Sequence, residues 1–206
     1  MPEDECFSGG NDTAETPVKD VKIVKENCSI SFAVRDEGAS FATGNSSASL
    51  TVGYQGRSLA TGNYSAGSST GDEGLSITTG CRSASTATGC QSSSFAIGDE
   101  SVSAVTGYYG TSFADGNCSV SVATGFCGTS YVQHKNAIAV AWGFEASAKG
   151  VIGSYIVCAE WKIDSETEIW HFIQAKMAKV DGEKIKENTY YQLIDGKFIE
   201  KGEPIC

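Results

Sequence analysis

Polar and apolar residues alternate along most of the chain in short stretches that glycine separates. Glycine recurs at every ninth residue from Gly44 to Gly125, and it returns at Gly143 after His134 takes its place once. Between glycines, segments of the type S-x-A-T alternate with a period of two, which is typical of short β-strands. A helix is excluded, because each internal glycine would cost about 1 kcal/mol and Ser and Thr are poor helix formers.

Neighbouring nine-residue units differ in a regular way, which indicates a true period of eighteen residues. With glycine as position one, position seven is bulky and apolar in every second unit. These residues, here called the bulky column, are Phe41, Leu59, Ile77, Phe95, Phe113 and Tyr131. The pattern predicts an all-β fold, a parallel β-solenoid (β-roll) with about 18 residues and two short strands per coil. Fourteen units in residues 26–152 would stack as seven coils at about 4.8 Å, roughly 34 Å in all.

Two packing arrangements are compatible with the repeat. Positions four, six and eight are almost always Ser, Gly or Ala, which suits the interior of a thin two-layer roll. The bulky column would then point outward. The opposite arrangement buries positions five and seven, and with them Arg57 and Lys149, whose unpaired charges would be costly inside.

Composition divides the chain into four segments. They are a flexible acidic N-terminus (1–16), an N-terminal cap strand (17–25), the nonapeptide-repeat β-solenoid (26–153) and a β-rich C-terminal capping domain (154–206). In the last segment, Asp195-Gly196 and Asp181-Gly182 each predict a β-hairpin, because Asp-Gly favours the tight turn between two strands. A short helix in 170–178 is a further candidate there.

Charge excludes some partners. The net charge is −10 and the pI near 4.6, so a surface that follows phosphates is not expected, and nucleic acid is an unsuitable partner. We find neither a signal peptide nor a stretch long enough for membrane insertion, which favours a cytoplasmic or virion-associated protein. The eight cysteines form no CxxC pair, and we expect most of them to be reduced thiols.

Catalytic or metal-binding patterns are weak. His134 and His171 are the two histidines, and no pairing of a serine with a base is visible, so the sequence predicts no enzyme. Acidic pairs occur in only three turns, Asp36-Glu37, Asp72-Glu73 and Asp99-Glu100. Calcium-binding rolls repeat an aspartate in nearly every unit, so we expect no metal and no cofactor.

Aromatic residues gather at one predicted edge of the roll. Tyr108, Phe126 and Phe144 occupy position two on three consecutive coils, and we call them the aromatic edge. They would either pack beneath the C-terminal domain or form a strip that binds a glycan or a protein receptor.

The bulky column predicts assembly if it points outward. Six stacked apolar side chains exceed what a soluble monomer normally leaves uncovered, so either another subunit or the C-terminal segment should cover them. Covered by another subunit, they would form an oligomer interface. We expect a homo-oligomer, with a trimer as the first expectation and a dimer as the second.

Two resemblances add to this interpretation. The segments "SFAIGDESVSAVTG" (94–107) and "NAIAVAWGFEASAKG" (136–150) are similar to head repeats of trimeric autotransporter adhesins, which implies a β-roll and, less directly, trimerisation. The overall layout resembles uncharacterised nonapeptide-repeat proteins of bacterial and phage genomes. Together they favour a non-enzymatic rod for multimer assembly and receptor recognition, adhesin-like or phage-fibre-like. The alternatives are an enzyme with an unrecognised site and an ice-binding solenoid.

Overall fold

The computed structural model describes residues 21–202, which form nineteen β-strands and no helix. The odd-numbered strands are β1 (Val21–Val24), β3 (Ala39–Thr43), β5 (Arg57–Thr61), β7 (Leu75–Thr79), β9 (Ser93–Ile97), β11 (Thr111–Asp115), β13 (Thr129–Val132), β15 (Ser147–Lys149), β17 (Trp170–Lys179) and β19 (Lys197–Lys201). The even-numbered strands are β2 (Ile30–Val34), β4 (Ala48–Val52), β6 (Ala66–Thr70), β8 (Ala84–Thr88), β10 (Val102–Thr106), β12 (Val120–Ala123), β14 (Ile138–Ala141), β16 (Tyr155–Ile163) and β18 (Tyr190–Ile194). Residues 21–202 contain no helix that is long and apolar enough to cross a membrane.

The chain winds as a parallel β-solenoid, which confirms the predicted fold class. The odd-numbered strands from β1 to β15 lie side by side in one sheet. The even-numbered strands from β2 to β16 lie side by side in the other. Each strand pairs in parallel with the strand one coil later, as Phe95 pairs with Phe113, so one coil takes eighteen residues. The solenoid has about eight coils rather than seven, because β1 pairs with β3 and β16 with β14 in parallel. Residues 1–20, which include the predicted N-terminus (1–16) and part of the cap strand (17–25), lie outside the described residues.

Small residues form the interior, so the first packing arrangement is the correct one. Positions four, six and eight are buried in nearly every coil. The flanking positions five, seven and nine are partly buried or exposed, except that Thr129 and Ser147 at position five are buried. Arg57 and Lys149 accordingly lie on the outer surface. The two sheets can approach this closely because no interior side chain in the repeat is larger than threonine or valine.

Serine hydroxyls connect the two sheets inside the solenoid. Each member of the series after the first donates a hydrogen bond to the hydroxyl nine residues before it, on the opposite sheet, at 2.9 Å. The series is Ser94, Ser103, Ser112, Ser121 and Ser130. Because these buried hydroxyls satisfy one another, this part of the polar interior does not carry the cost of unpaired polar groups. The buried hydroxyls of Ser40, Thr78 and Ser147 have no hydrogen-bond partner among the described residues.

The recurring glycine is required by the geometry of the turn. Gly98 has φ of 140°, a backbone conformation that L-residues with a side chain rarely adopt. A Cβ at Gly98 would also overlap the carbonyl of Gly80 in the coil before it. The nine-residue rhythm therefore marks the points where successive coils come closest.

The C-terminal segment closes one end of the solenoid. β16 extends the even-numbered sheet and then turns back into β17 in antiparallel pairing, with an irregularity between Glu160 and Trp161. β18 pairs antiparallel with β15, and β18 and β19 form the hairpin predicted at Asp195-Gly196. The helix considered for 170–178 is wrong, since that segment is β17.

The hairpin expected at Asp181-Gly182 is also absent from the described residues. The carboxylate of Asp181 instead accepts hydrogen bonds from the backbone N–H groups of Glu183, Lys184 and Ile185 at 2.9 to 3.0 Å. Such an Asx-type turn folds the connection back on itself without pairing two strands.

Candidate functional site

The aromatic edge forms a continuous ladder on the turns that lead from the even-numbered sheet to the odd-numbered sheet. The ring centroids of Tyr108 and Phe126 are 5.8 Å apart, and those of Phe126 and Phe144 are 5.3 Å apart. Tyr109 adds an edge-on contact to Phe126 at 6.0 Å. The eighteen-residue register explains the ladder, because position two of each coil lies above position two of the coil before it.

A hairpin arm lies against this ladder. It comprises residues 159–175, the part of β16 and β17 that continues past the last pairing of β16 with β14 at Cys158. Trp170 of the arm packs on Phe144 with ring centroids 3.7 Å apart, and Phe172 stacks on Trp142 at 5.2 Å. The indole N–H of Trp161 donates to the carbonyl of Trp142 at 2.7 Å, which fixes the arm on the solenoid.

The ladder and the arm together line an open groove of about 450 Å³, here called the aromatic groove. Its aromatic lining consists of Tyr108, Phe126, Trp142, Phe144, Trp161 and Trp170. The volume falls within the range of about 300–1,000 Å³ that is usual for small-molecule sites. Phe144 is thus covered by the C-terminal segment, while Tyr108 at the other end remains 58% exposed.

Sequence reasoning missed half of this lining. Trp142 holds position nine of its unit, directly after β14. Trp161 and Trp170 belong to the arm, whose position over the turns depends on contacts distant in sequence. One signal was present: all three tryptophans of the chain occur within residues 142–170.

A second cavity of about 230 Å³ lies on the other side of the arm, where Glu160 anchors the tail. The buried carboxylate of Glu160 accepts hydrogen bonds from the side chain of Gln174 and from the backbone N–H groups of Asp195 and Gly196 at 2.8 to 3.0 Å. Burial alone would raise the pKa of Glu160, but these donors and Lys162 outweigh it and lower the pKa. The carboxylate fixes the β18–β19 turn to β16, which is a structural role.

The bulky column lies on the outer face of the odd-numbered sheet. Phe95 and Phe113 have ring centroids 5.8 Å apart, and Phe113 and Tyr131 are 5.1 Å apart. At its C-terminal end, the ammonium of Lys149 lies 4.5 Å from the Tyr131 ring and 4.4 Å from the Tyr190 ring. Each column side chain is partly covered by its neighbours and partly exposed. Burial, and to a lesser degree Asp115, raises the pKa of Tyr131.

The acidic turns act within the solenoid. The carboxylates of Asp36, Asp72 and Asp99 each accept a hydrogen bond from the backbone N–H eighteen residues later, at 2.7 to 2.9 Å. The amide oxygens of Asn45 and Asn63 do the same on the edge that also carries Asp99, opposite to Asp36 and Asp72. Within residues 21–202, no three His, Cys, Asp or Glu side chains cluster as a metal site would require.

The histidines and cysteines in the described part of the chain bring no group of metal-binding side chains together. His134 accepts a hydrogen bond from the backbone N–H of Asn136 at 3.4 Å within its turn, and His171 is exposed on β17. Cys28, Cys81 and Cys118 are exposed free thiols. Cys158 is buried, and burial raises its pKa to about 12, so that thiol is inert near neutral pH.

No family model matches the chain, and no curated protein or solved structure matches it either. The structure alone therefore supports the fold of stacked coils. A relationship to adhesin heads or phage proteins stays a prediction.

Proposed function

We propose that this protein is a non-enzymatic structural and binding module, a stiff rod that assembles with copies of itself and recognises a surface or receptor. The observation that supports it most directly is the outward position of the bulky column. In this proposal the column is the oligomer interface, the aromatic edge takes part in recognition, and the role is adhesin-like or phage-fibre-like.

Stiffness follows from the hydrogen-bonding pattern. Every inner coil pairs with the coil on each side through both sheets, and turn side chains such as Asp99 add bonds across the same eighteen-residue step. About eight coils at ~4.8 Å give a rod of roughly 38 Å. Such a scaffold holds surface groups at fixed spacing.

The size of the column face is compatible with self-association. Five-residue strands at ~3.3 Å per residue and the six strands of the column at ~4.8 Å give a face of roughly 17 by 29 Å, or about 500 Å². Stable interfaces bury about 800 Å² per partner, so the column and its margins approach one standard interface. A trimer is the first expectation and a dimer the second.

Sedimentation velocity tests the assembly. We expect the wild-type chain to sediment as a trimer or dimer and Phe95→Glu to sediment as a monomer, because a charge in the middle of the column would have to be buried without a partner. Thr86→Glu is the matched control, since Thr86 holds position seven on the opposite sheet and is exposed. A monomeric wild-type protein in dilute buffer would overturn the proposed assembly.

An ice-binding role is a second candidate, supported by one observation. Thr70, Thr88 and Thr106 stack in register on the outer face of the even-numbered sheet. They form a single column, whereas a flat ice-binding face uses paired columns. Thermal hysteresis of the purified protein would support this role, and freezing behaviour equal to that of an inert protein would exclude it.

A further inference from the structure

Several aromatic side chains around the groove are much more exposed than packing alone would leave them. Tyr108 is 58% exposed, Trp142 and Trp170 are each 39% exposed, and Phe172 is 46% exposed. A monomeric soluble protein seldom leaves so many large apolar groups next to one another in water, and such patches usually mark binding sites. All three tryptophans of the chain line this groove, and tryptophan is the residue most enriched at binding hot spots.

The floor of the groove is bare backbone. Gly107, Gly125 and Gly143 follow one another at position one of three consecutive coils and line the groove between the rings. A Cβ at Gly125 would overlap the carbonyl of Gly107, and one at Gly143 would overlap that of Gly125. These glycines allow neighbouring coils to pack closely, and they place no side chain in the groove.

The lining carries no charge. Among the described residues around the groove, every side chain is aromatic except that of Thr124 and the three glycines. The hydroxyls of Tyr108 and Thr124, the indole N–H groups of Trp142 and Trp170 and the backbone are the polar groups available to a ligand. The described lining offers no carboxylate or basic side chain that could form an ion pair with a ligand, which favours a neutral ligand. A quaternary ammonium, which aromatic faces alone can bind, is the charged alternative that the titration below tests.

We propose that the aromatic groove binds an uncharged carbohydrate, with its sugar rings lying on the faces of Tyr108, Trp142 and Trp170. A sugar ring offers an apolar C–H face, which packs on an aromatic ring, and a rim of hydroxyls, which bond to hydroxyl, backbone and water. Because the groove is open, it can accommodate a chain of sugar rings. This inference rests on the recognition part of the proposed function and names its ligand class.

Tryptophan fluorescence provides the test without a label, because the chain has no tryptophan outside the groove. The full chain is titrated with neutral glucose, galactose, mannose and N-acetylglucosamine oligosaccharides, and separately with sialylated oligosaccharides, choline and a short apolar peptide. We expect a saturable change in emission with at least one neutral oligosaccharide, at a Kd of roughly 1 mM or below.

Two variants assign the response to the groove. Tyr108→Ala keeps all three tryptophans and should raise the Kd by about tenfold or more, as loss of an aromatic anchor does. Tyr54→Ala is the matched control, because Tyr54 holds the same position on the same edge three coils earlier and is 45% exposed. It should leave the Kd unchanged. Circular dichroism of both variants checks that the solenoid remains folded.

The outcomes separate this inference from the assembly. No saturable response to any neutral oligosaccharide up to about 10 mM would overturn it, as would a response only to choline, sialylated oligosaccharides or peptide. Unchanged binding in Tyr108→Ala would also overturn it. A wild-type monomer that still binds sugar refutes the assembly alone, and an oligomer that binds none refutes the carbohydrate site alone.

Discussion

The substitution Ser112→Val probes the polar interior. Ser112 is fully buried on β11 and faces the even-numbered sheet. Its hydroxyl donates to Ser103 and accepts from Ser121, both at 2.9 Å, and it accepts from the backbone N–H of Val122 at 3.3 Å. Valine would remove all three bonds and place an additional methyl group between the sheets.

Two effects add to the cost of this change. The buried hydroxyl of Ser121 loses its acceptor, and an unsatisfied buried donor costs about 1–3 kcal/mol. The extra methyl overpacks an interior that small residues already fill, at a further cost of about 1–3 kcal/mol. A loss near 4 kcal/mol would lower the melting temperature by roughly 10 °C in a chain of this size. In a conventional core, valine in place of a buried serine would be the more apolar and often the better residue.

Thermal unfolding followed by circular dichroism measures the difference. Ser68→Val is the matched control, because Ser68 holds an outward position on β6 and the same substitution there adds no interior volume. We expect the control to stay within about 0.5 kcal/mol of the wild type. Ser112→Ala, which removes the bonds without overpacking, should fall between the two. Equal melting temperatures for Ser112→Val and Ser68→Val would refute this account of the interior.

Three further substitutions or treatments test other parts of the fold. Gly98→Ala should lower the free energy of unfolding by about 1–3 kcal/mol, because φ at this residue is 140°, and an unchanged urea midpoint would contradict the turn geometry. Brief alkylation at about pH 8 should modify the exposed thiol of Cys81 and spare the buried thiol of Cys158, whose pKa is about 12. Peptide mapping measures the labelling of each cysteine. Equal labelling of Cys81 and Cys158 would contradict this prediction and show that β16 opens readily. Hydrogen bonds from backbone N–H groups, of which that of Ile185 has the largest effect, lower the pKa of the Asp181 carboxyl from its ordinary value of 3.8. The ionised carboxylate therefore stabilises the fold at neutral pH. This contribution is lost as the pH falls through the pKa of the folded state. Asp181→Asn should therefore melt below the wild type at about pH 7, with a gap that narrows below about pH 4, and a gap independent of pH would argue against the Asx turn.

The solenoid could be predicted because its rules are local and repeat. Gly98 and its equivalents mark each turn, and the small residues at positions four, six and eight mark the interior. The additional coil was missed because Val21 and Tyr155 lack that small-residue pattern, although β1 and β16 pair in the same register as the rest.

Prediction was weaker where non-local contacts decide the structure. Residues 170–178 have no strong local preference, and they form a strand because β16 offers an unpaired edge to them. Asp181-Gly182 has the sequence of a hairpin turn, but the carboxylate of Asp181 bonds the next backbone groups instead. The aromatic edge was predicted from its register, whereas the tryptophans of the arm reach it only through the tertiary fold.

The register between coils also limits how the length of this protein can change in evolution. Insertion or loss of eighteen residues would add or remove one coil and leave every other side chain on its own face and edge. A change of nine residues would keep each glycine in a turn but exchange the two sheets beyond that point, so that the column of Phe95 would continue on the opposite face. We therefore expect this fold to tolerate the duplication of a whole coil. The insertion or loss of half a coil would instead divide the bulky column and the aromatic ladder between two sides of the rod.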